Sequence, residues 1–148
     1  LMGWGTTLTL CRIIHDQCEI IHAGDSALFR LRGTKLEKIT TDHTKEQEYI
    51  EELGEAARPD MPTQYPHTLT RCLGQNADLE LDQLCIELQS GDTLLLCTDG
   101  LTKYVEPLSV EAVLNASDST EQATQALIYA ANDNGGGDNV TVIVIKIN

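Results

Sequence analysis

The sequence predicts an α+β domain in which helices are layered on mostly antiparallel sheets. Three observations lead there. Short runs of branched and apolar residues follow one another closely in the first third of the chain. One later run, Leu94-Leu95-Leu96-Cys97, is apolar without alternation, and two segments carry helix caps followed by apolar stripes. At 148 residues and 16.2 kDa the chain has the length of one domain and can bury roughly two thirds of its unfolded surface.

The first strands are expected over Thr7 to Ile14, Cys18 to Ala23 and Ala27 to Arg32, with Asp16-Gln17 and Gly24-Asp25-Ser26 as turns. Connections this short favour an antiparallel meander, because parallel neighbours need a crossover of a dozen or more residues. A helix fits His43 to Arg58: Thr44 and Gln47 have capping-box spacing, Tyr49, Ile50, Leu53, Ala56 and Ala57 form a stripe, and Pro59 stops it. Pro59 to Pro66 reads as an irregular excursion, a flap over one edge of the domain. Strands resume at Leu84 to Leu88 and Thr93 to Cys97, the second covered on both faces. Ser119 and Gln122 cap a second helix to about Ala131, whose small residues Ala123, Ala126 and Ala130 suit close packing on a sheet. The glycine-rich run Asn134 to Asn139 leads into a last branched strand, Val140 to Ile147.

Ten Lys and Arg against 23 Asp and Glu set the net charge at −13, which repels a phosphate backbone and argues against nucleic acid as a partner. There is no apolar run of membrane-spanning length, basic amphipathic stretch or signal-peptide pattern. The five cysteines are odd in number and lack ligand-like spacing. A reduced, cytoplasmic protein with no membrane partner is expected. The opening Leu1 and the immediate entry into a strand read as a piece cut from something longer.

Two aspartates stand out by position. Asp99 directly follows the strand expected to be core, and Asp138 lies just before the last one, each beside glycine. Sheet ends bring distant residues together, so these carboxylates could share a hard cation, which takes oxygen ligands. Asp25, in another tight connection, could add a peripheral oxygen. The competing reading makes all three ordinary turn residues. Ser26 lacks the G-x-S-x-G context of a nucleophile elbow. His15, His22, His43 and His67 show no zinc pattern, the cysteines read mostly as buried thiols, and Trp4 and Phe29 read as core or edge residues.

Six ordered segments resemble the type 2C (PPM) metal-dependent protein serine/threonine phosphatases, bacterial members especially. They are Gly3-Trp4-Gly5-Thr6-Thr7-Leu8, His22-Ala23-Gly24-Asp25-Ser26, Leu36 to Thr44, Leu69-Thr70-Arg71-Cys72-Leu73-Gly74, Gly91 to Leu101, and Gly136-Gly137-Asp138-Asn139-Val140-Thr141. The resemblance covers nearly the whole chain and matches the later two thirds of that domain. It implies an α-β-β-α sandwich with a binuclear manganese or magnesium centre at one end of two antiparallel sheets. Asp99 and Asp138 would bind the second metal, and Asp25 would belong to a third, weaker site that Asp99 also approaches. The implied reaction is hydrolysis of phosphoserine or phosphothreonine in proteins by metal-activated water, with no phosphoenzyme. The implied partners are phosphorylated proteins and a cognate serine/threonine kinase.

The family's early Asp-Gly-x-Gly-Gly segment, its phosphate-holding arginine and its general-acid histidine belong upstream of Gly3 and are not among these residues. Residues 1–148 are therefore expected to be a partial catalytic domain with its N-terminal elements missing. Ala27 stands where the family usually has arginine, and Cys72 where alanine is commoner. The alternative function is a catalytically inactive, phosphatase-like regulatory or interaction module in which Asp99 and Asp138 are structural.

Overall fold

The computed structural model describes residues 4–74 and 78–148, so Gly3 of the first motif lies outside the described residues. The strands are β1 (Leu8–Ile14), β2 (Gln17–Ala23), β3 (Ala27–Arg32), β4 (Lys35–Lys38), β5 (Asp82–Glu87), β6 (Thr93–Cys97) and β7 (Val142–Lys146). The helices are α1 (Lys45–Leu53), α2 (Asp99–Thr102), α3 (Pro107–Ala116) and α4 (Thr120–Asp133). They build an α+β fold on two antiparallel sheets, one ordered β1-β2-β5 and the other β4-β3-β6-β7.

The expected meander breaks after its first hairpin. β1 and β2 pair in full register from Leu8↔Ala23 to Ile14↔Gln17, but β3 pairs with β4 and β6 instead of β2. Gly24-Asp25-Ser26 therefore carries the chain from one sheet to the other. A short connection requires proximity, not pairing, and stacked sheets supply proximity as well as adjacent strands do.

β6 explains the stacking. Leu94 and Leu96 face the layer between the sheets, joined there by Cys18, Ile20, Leu28 and Leu88. Leu95 and Cys97 face the other way, into a layer closed by Leu101 of α2, Val110 and Leu114 of α3, and Ala123, Leu127 and Ala131 of α4. All four residues of this run are buried, as its lack of alternation predicts. Each buried leucine contributes about 1.5–3 kcal/mol by leaving water. Ser119 caps α4 by accepting from Gln122 N–H at 3.1 Å, and the Gln122 side chain accepts from Asp118 N–H at 2.8 Å.

Several further expectations are corrected. The first helix is shorter than expected: α1 ends at Gly54, which is followed by a 3-10 segment, Glu55–Asp60, and no α1 side chain is buried. Its stripe packs locally, Tyr49 edge-on to Tyr65, with Leu53 exposed. β4, α2 and α3 appear where no element was expected, and β7 is shorter than the branched run that announces it. Of the cysteines, Cys18 and Cys97 are buried, Cys11 and Cys72 half-buried and Cys85 exposed. Phe29 is core, whereas Trp4 is fully exposed. No helix among the described residues is long and apolar enough to cross a membrane.

Candidate metal centre

The end of β6 builds the site. Asp99 opens α2 one residue after the buried strand, with Thr98 in extended conformation at the helix cap. Thr98 then joins two distant loops: its N–H donates to Thr141 O at 3.1 Å, its hydroxyl donates to Asn139 O at 3.2 Å, and that hydroxyl accepts from Thr141 N–H at 3.0 Å. This stitching sets Asp138 beside Asp99. Gly100 makes the approach possible, because a methyl group there would lie 2.9 Å from the Asn139 carbonyl carbon. Asp138 fixes its own carboxylate by accepting from Asn139 N–H at 2.8 Å.

Both carboxylates converge on one cation of the chain itself. Lys103 Nζ is bonded to Asp99 Oδ2 and lies 3.3 Å from Asp138 Oδ2. Partial burial pulls the Lys103 pKa down, but the bonds to the two aspartates outweigh it and the net direction is up. Asp138 is held below the ordinary carboxylate value by the Asn139 N–H and then by Lys103. Asp25 moves the other way: burial, reinforced by the neighbouring Asp99 carboxylate, raises its pKa. Asp25 and Asp99 share a cleft of about 400 Å³ that is also lined by Phe29, Leu36, Pro66 and His67.

Thus the three aspartates singled out in the sequence meet at one end of the sandwich, Asp99 and Asp138 at a single ammonium and Asp25 behind Asp99. Lys103, Thr98 and Gly100 were not foreseen. The one signal for Lys103 was its position a helical turn beyond Asp99. Ser26 is no free nucleophile, since its hydroxyl pairs with that of Thr7 at 2.9 Å. Among the described residues no group of three or more His, Cys, Asp or Glu side chains is arranged to enclose a metal ion. The chemistry of the donor set nonetheless suits a hard cation: oxygen donors only, at a partly exposed mouth, already gathered around a positive charge.

Stacked antiparallel sheets with strand-end carboxylates gathered at one edge define an α+β sandwich with a candidate cation site. Residues 5–148 match the family model described as Stage II sporulation protein E (SpoIIE). The chain belongs to this family and, with its relatives, to the PPM, or type 2C, class of bacterial serine/threonine phosphatase domains. It is 35% identical over 149 residues to the serine/threonine phosphatase stp of Listeria welshimeri, covering 100% of this chain and 59% of that protein. The structure of the S. agalactiae serine/threonine phosphatase superposes with a TM-score of 0.90 at 29% identity, over 97% of this chain and 60% of that one. The catalytic domain of the serine/threonine protein phosphatase PstP, in complex with 2 manganese ions, matches with a TM-score of 0.80 at 34% identity, over 95% of this chain and 57% of that one. The chain thus spans about three fifths of the length of the Listeria and Streptococcus pneumoniae relatives it matches.

Proposed function

We propose that residues 1–148 form the later part of a type 2C catalytic domain whose whole protein hydrolyses phosphoserine and phosphothreonine in proteins, with a cognate serine/threonine kinase supplying the substrates. The reading rests on family membership and on one observation above the rest. Asp99 and Asp138, far apart in sequence, are presented on stitched loops to a single positive charge, with Asp25 adjacent. Asp99 and Asp138 would hold one ion of a manganese or magnesium pair, and Asp25 with Asp99 a third, weaker one. When bound, such cations supply an activated water and positive charge opposite the phosphoryl oxygens.

The chain's own residues do the preparation. Thr98 and Gly100 set the separation of the two carboxylates, and the Asn139 N–H keeps Asp138 ionised. Lys103 offsets their repulsion and reduces the negative potential that a phosphate dianion meets as it approaches a chain of net charge −13. The test is hydrolysis of a phosphothreonine peptide by the intact protein with Mn2+ or with chelator. Asp99→Asn and Asp138→Asn should each cost about a hundredfold or more, while Cys72→Ala, trimming a half-buried thiol, stays near wild type. Equal rates in all three, or full activity in chelator, refute the reading.

A further inference from the structure

Two buried histidines take no part in the centre as described, yet both lean on the turn that carries Asp25. His22 is fully buried and His43 nearly so, and their rings lie 4.8 Å apart, tilted by 39°. His43 grips Gly24 twice. Its backbone N–H donates to Gly24 O at 2.8 Å, and its Nδ1 accepts from Gly24 N–H at 3.1 Å. An Nδ1 that accepts carries no proton, so the ring proton belongs on Nε2, which faces Asp82 Oδ2 at 3.1 Å and has Arg71 Nη1 at 3.3 Å. Arg71 secures the other oxygen of Asp82 at 2.9 Å. The Nε2 side of His43 is therefore held from β5, the strand that pairs with β2 on the side away from β1.

The far side of the turn is held as well. The Thr9 hydroxyl donates to Ser26 O at 2.6 Å and lies 2.9 Å from His22 Nδ1, while His22 Nε2 donates to Thr41 O at 3.0 Å. Gly24 itself has φ of +116°, and a Cβ there would sit 2.6 Å from Thr7 Cβ, so the turn has no room to relax toward β1. Asp25 is the one residue of the three whose side chain is left to face the cleft beside Asp99.

We propose that His43 is the positioning residue for Asp25: by accepting the Gly24 N–H at Nδ1, with its Nε2 side held against Asp82, it fixes the backbone from which the Asp25 carboxylate reaches the Asp99 side of the centre. The proposal rests on the function given above, in which Asp25 is a cation ligand. A carboxylate held this way is pre-organised, and its affinity for a cation depends on a residue that touches neither cation nor phosphate.

The probe is Mn2+ alone, titrated into the intact protein, together with amide hydrogen exchange at Gly24. His43→Ala removes the acceptor, whereas His43→Asn places an amide oxygen where Nδ1 was. The Gly24 amide should exchange about tenfold or more faster in His43→Ala and within about threefold of wild type in His43→Asn. The weakest Mn2+ event should weaken about tenfold in His43→Ala, recover in His43→Asn, and weaken no further when His43→Ala is added to Asp25→Asn. Wild-type Mn2+ binding in His43→Ala, with binding lost in Asp25→Asn, overturns the positioning role alone. Unchanged Mn2+ binding in Asp25→Asn overturns the ligand role of Asp25 and the positioning role with it. Equal damage in both His43 variants, tracking loss of thermal stability, reduces His43 to a structural residue.

Discussion

Gly100→Ala probes how closely the two halves of the centre must approach. The added methyl would lie 2.9 Å from the Asn139 carbonyl carbon and nearer still to its oxygen, against about 3.5–4.0 Å for carbon atoms in contact. One backbone must retreat by about 1 Å. On the α2 side Leu101 is fully buried, so the looser loop carrying exposed Asn139 and Asp138 gives way. Overpacking of this kind costs about 1–3 kcal/mol. For a chain of 148 residues that lowers Tm by roughly 3–9 °C. Activity should fall further than stability accounts for, because a displacement of about 1 Å at a reacting centre costs on the order of a hundredfold. Val110→Ala is the control. It trims a buried side chain of α3 in the helix-facing layer at about 2 kcal/mol, so it should lower Tm comparably without affecting turnover by the folded enzyme. The assay is phosphopeptide hydrolysis at saturating Mn2+, 20 °C below each variant's Tm. Comparable activity in the two variants would refute the claim that the Gly100–Asn139 approach sets the geometry of the centre.

Two further predictions concern stability. Asp92, buried at 1% exposure, accepts from Arg32 Nε at 2.9 Å and Nη2 at 2.7 Å and from Gln89 N–H at 2.9 Å. The Arg32 bonds hold its pKa below the ordinary value against the opposing effect of burial. Its contribution is therefore complete above the unfolded carboxylate pKa near ~4 and fades as pH falls through the lower folded value. With Arg32 partly exposed, Asp92→Asn should cost about 1–2 kcal/mol at neutral pH and flatten the acid limb of the urea-midpoint profile; a limb as steep as wild type counts against it. Ser119→Ala should lower stability by about 1 kcal/mol through loss of the α4 cap, read as a shift in the urea midpoint without a change in slope.

Legibility in the sequence followed how much a segment depends on its own residues. The double-sided burial of Leu94 to Cys97 and the Ser119–Gln122 cap are local properties, and both are found as expected. β4 offers only Leu36 between charged residues and exists because β3 lends it an edge. α3 begins at Pro107 and packs Val110, Val113 and Leu114 on the core at i, i+3 and i+4, but exposed Leu108 adds an apolar residue off that short face. The branch from β2 into a second sheet was hidden because Gly24 to Ser26 reads as a hairpin turn, and only the packing of Leu28 against Ile20 reveals the layer between. At the centre the aspartates could be found because strand ends concentrate them. The Thr98 stitch and the reach of Lys103 to Asp138 could not, since both depend on partners on the Asn134 to Thr141 loop.

The turn from β2 to β3 ties the two sheets together in three residues, and Asp25 is the middle one. Its carboxylate is therefore anchored to both layers at once, whereas Asp99 and Asp138 flank adjacent strands of a single sheet. Sliding of one sheet over the other would move Asp25 relative to the other two while leaving those two in step. Leu28, Leu94, Leu96 and Ile20, which fill the space between the sheets, thereby act as the spacer that sets this third separation. On the proposed cation-binding role, substitutions among them should alter discrimination between ions of different radius before they alter whether ions bind at all.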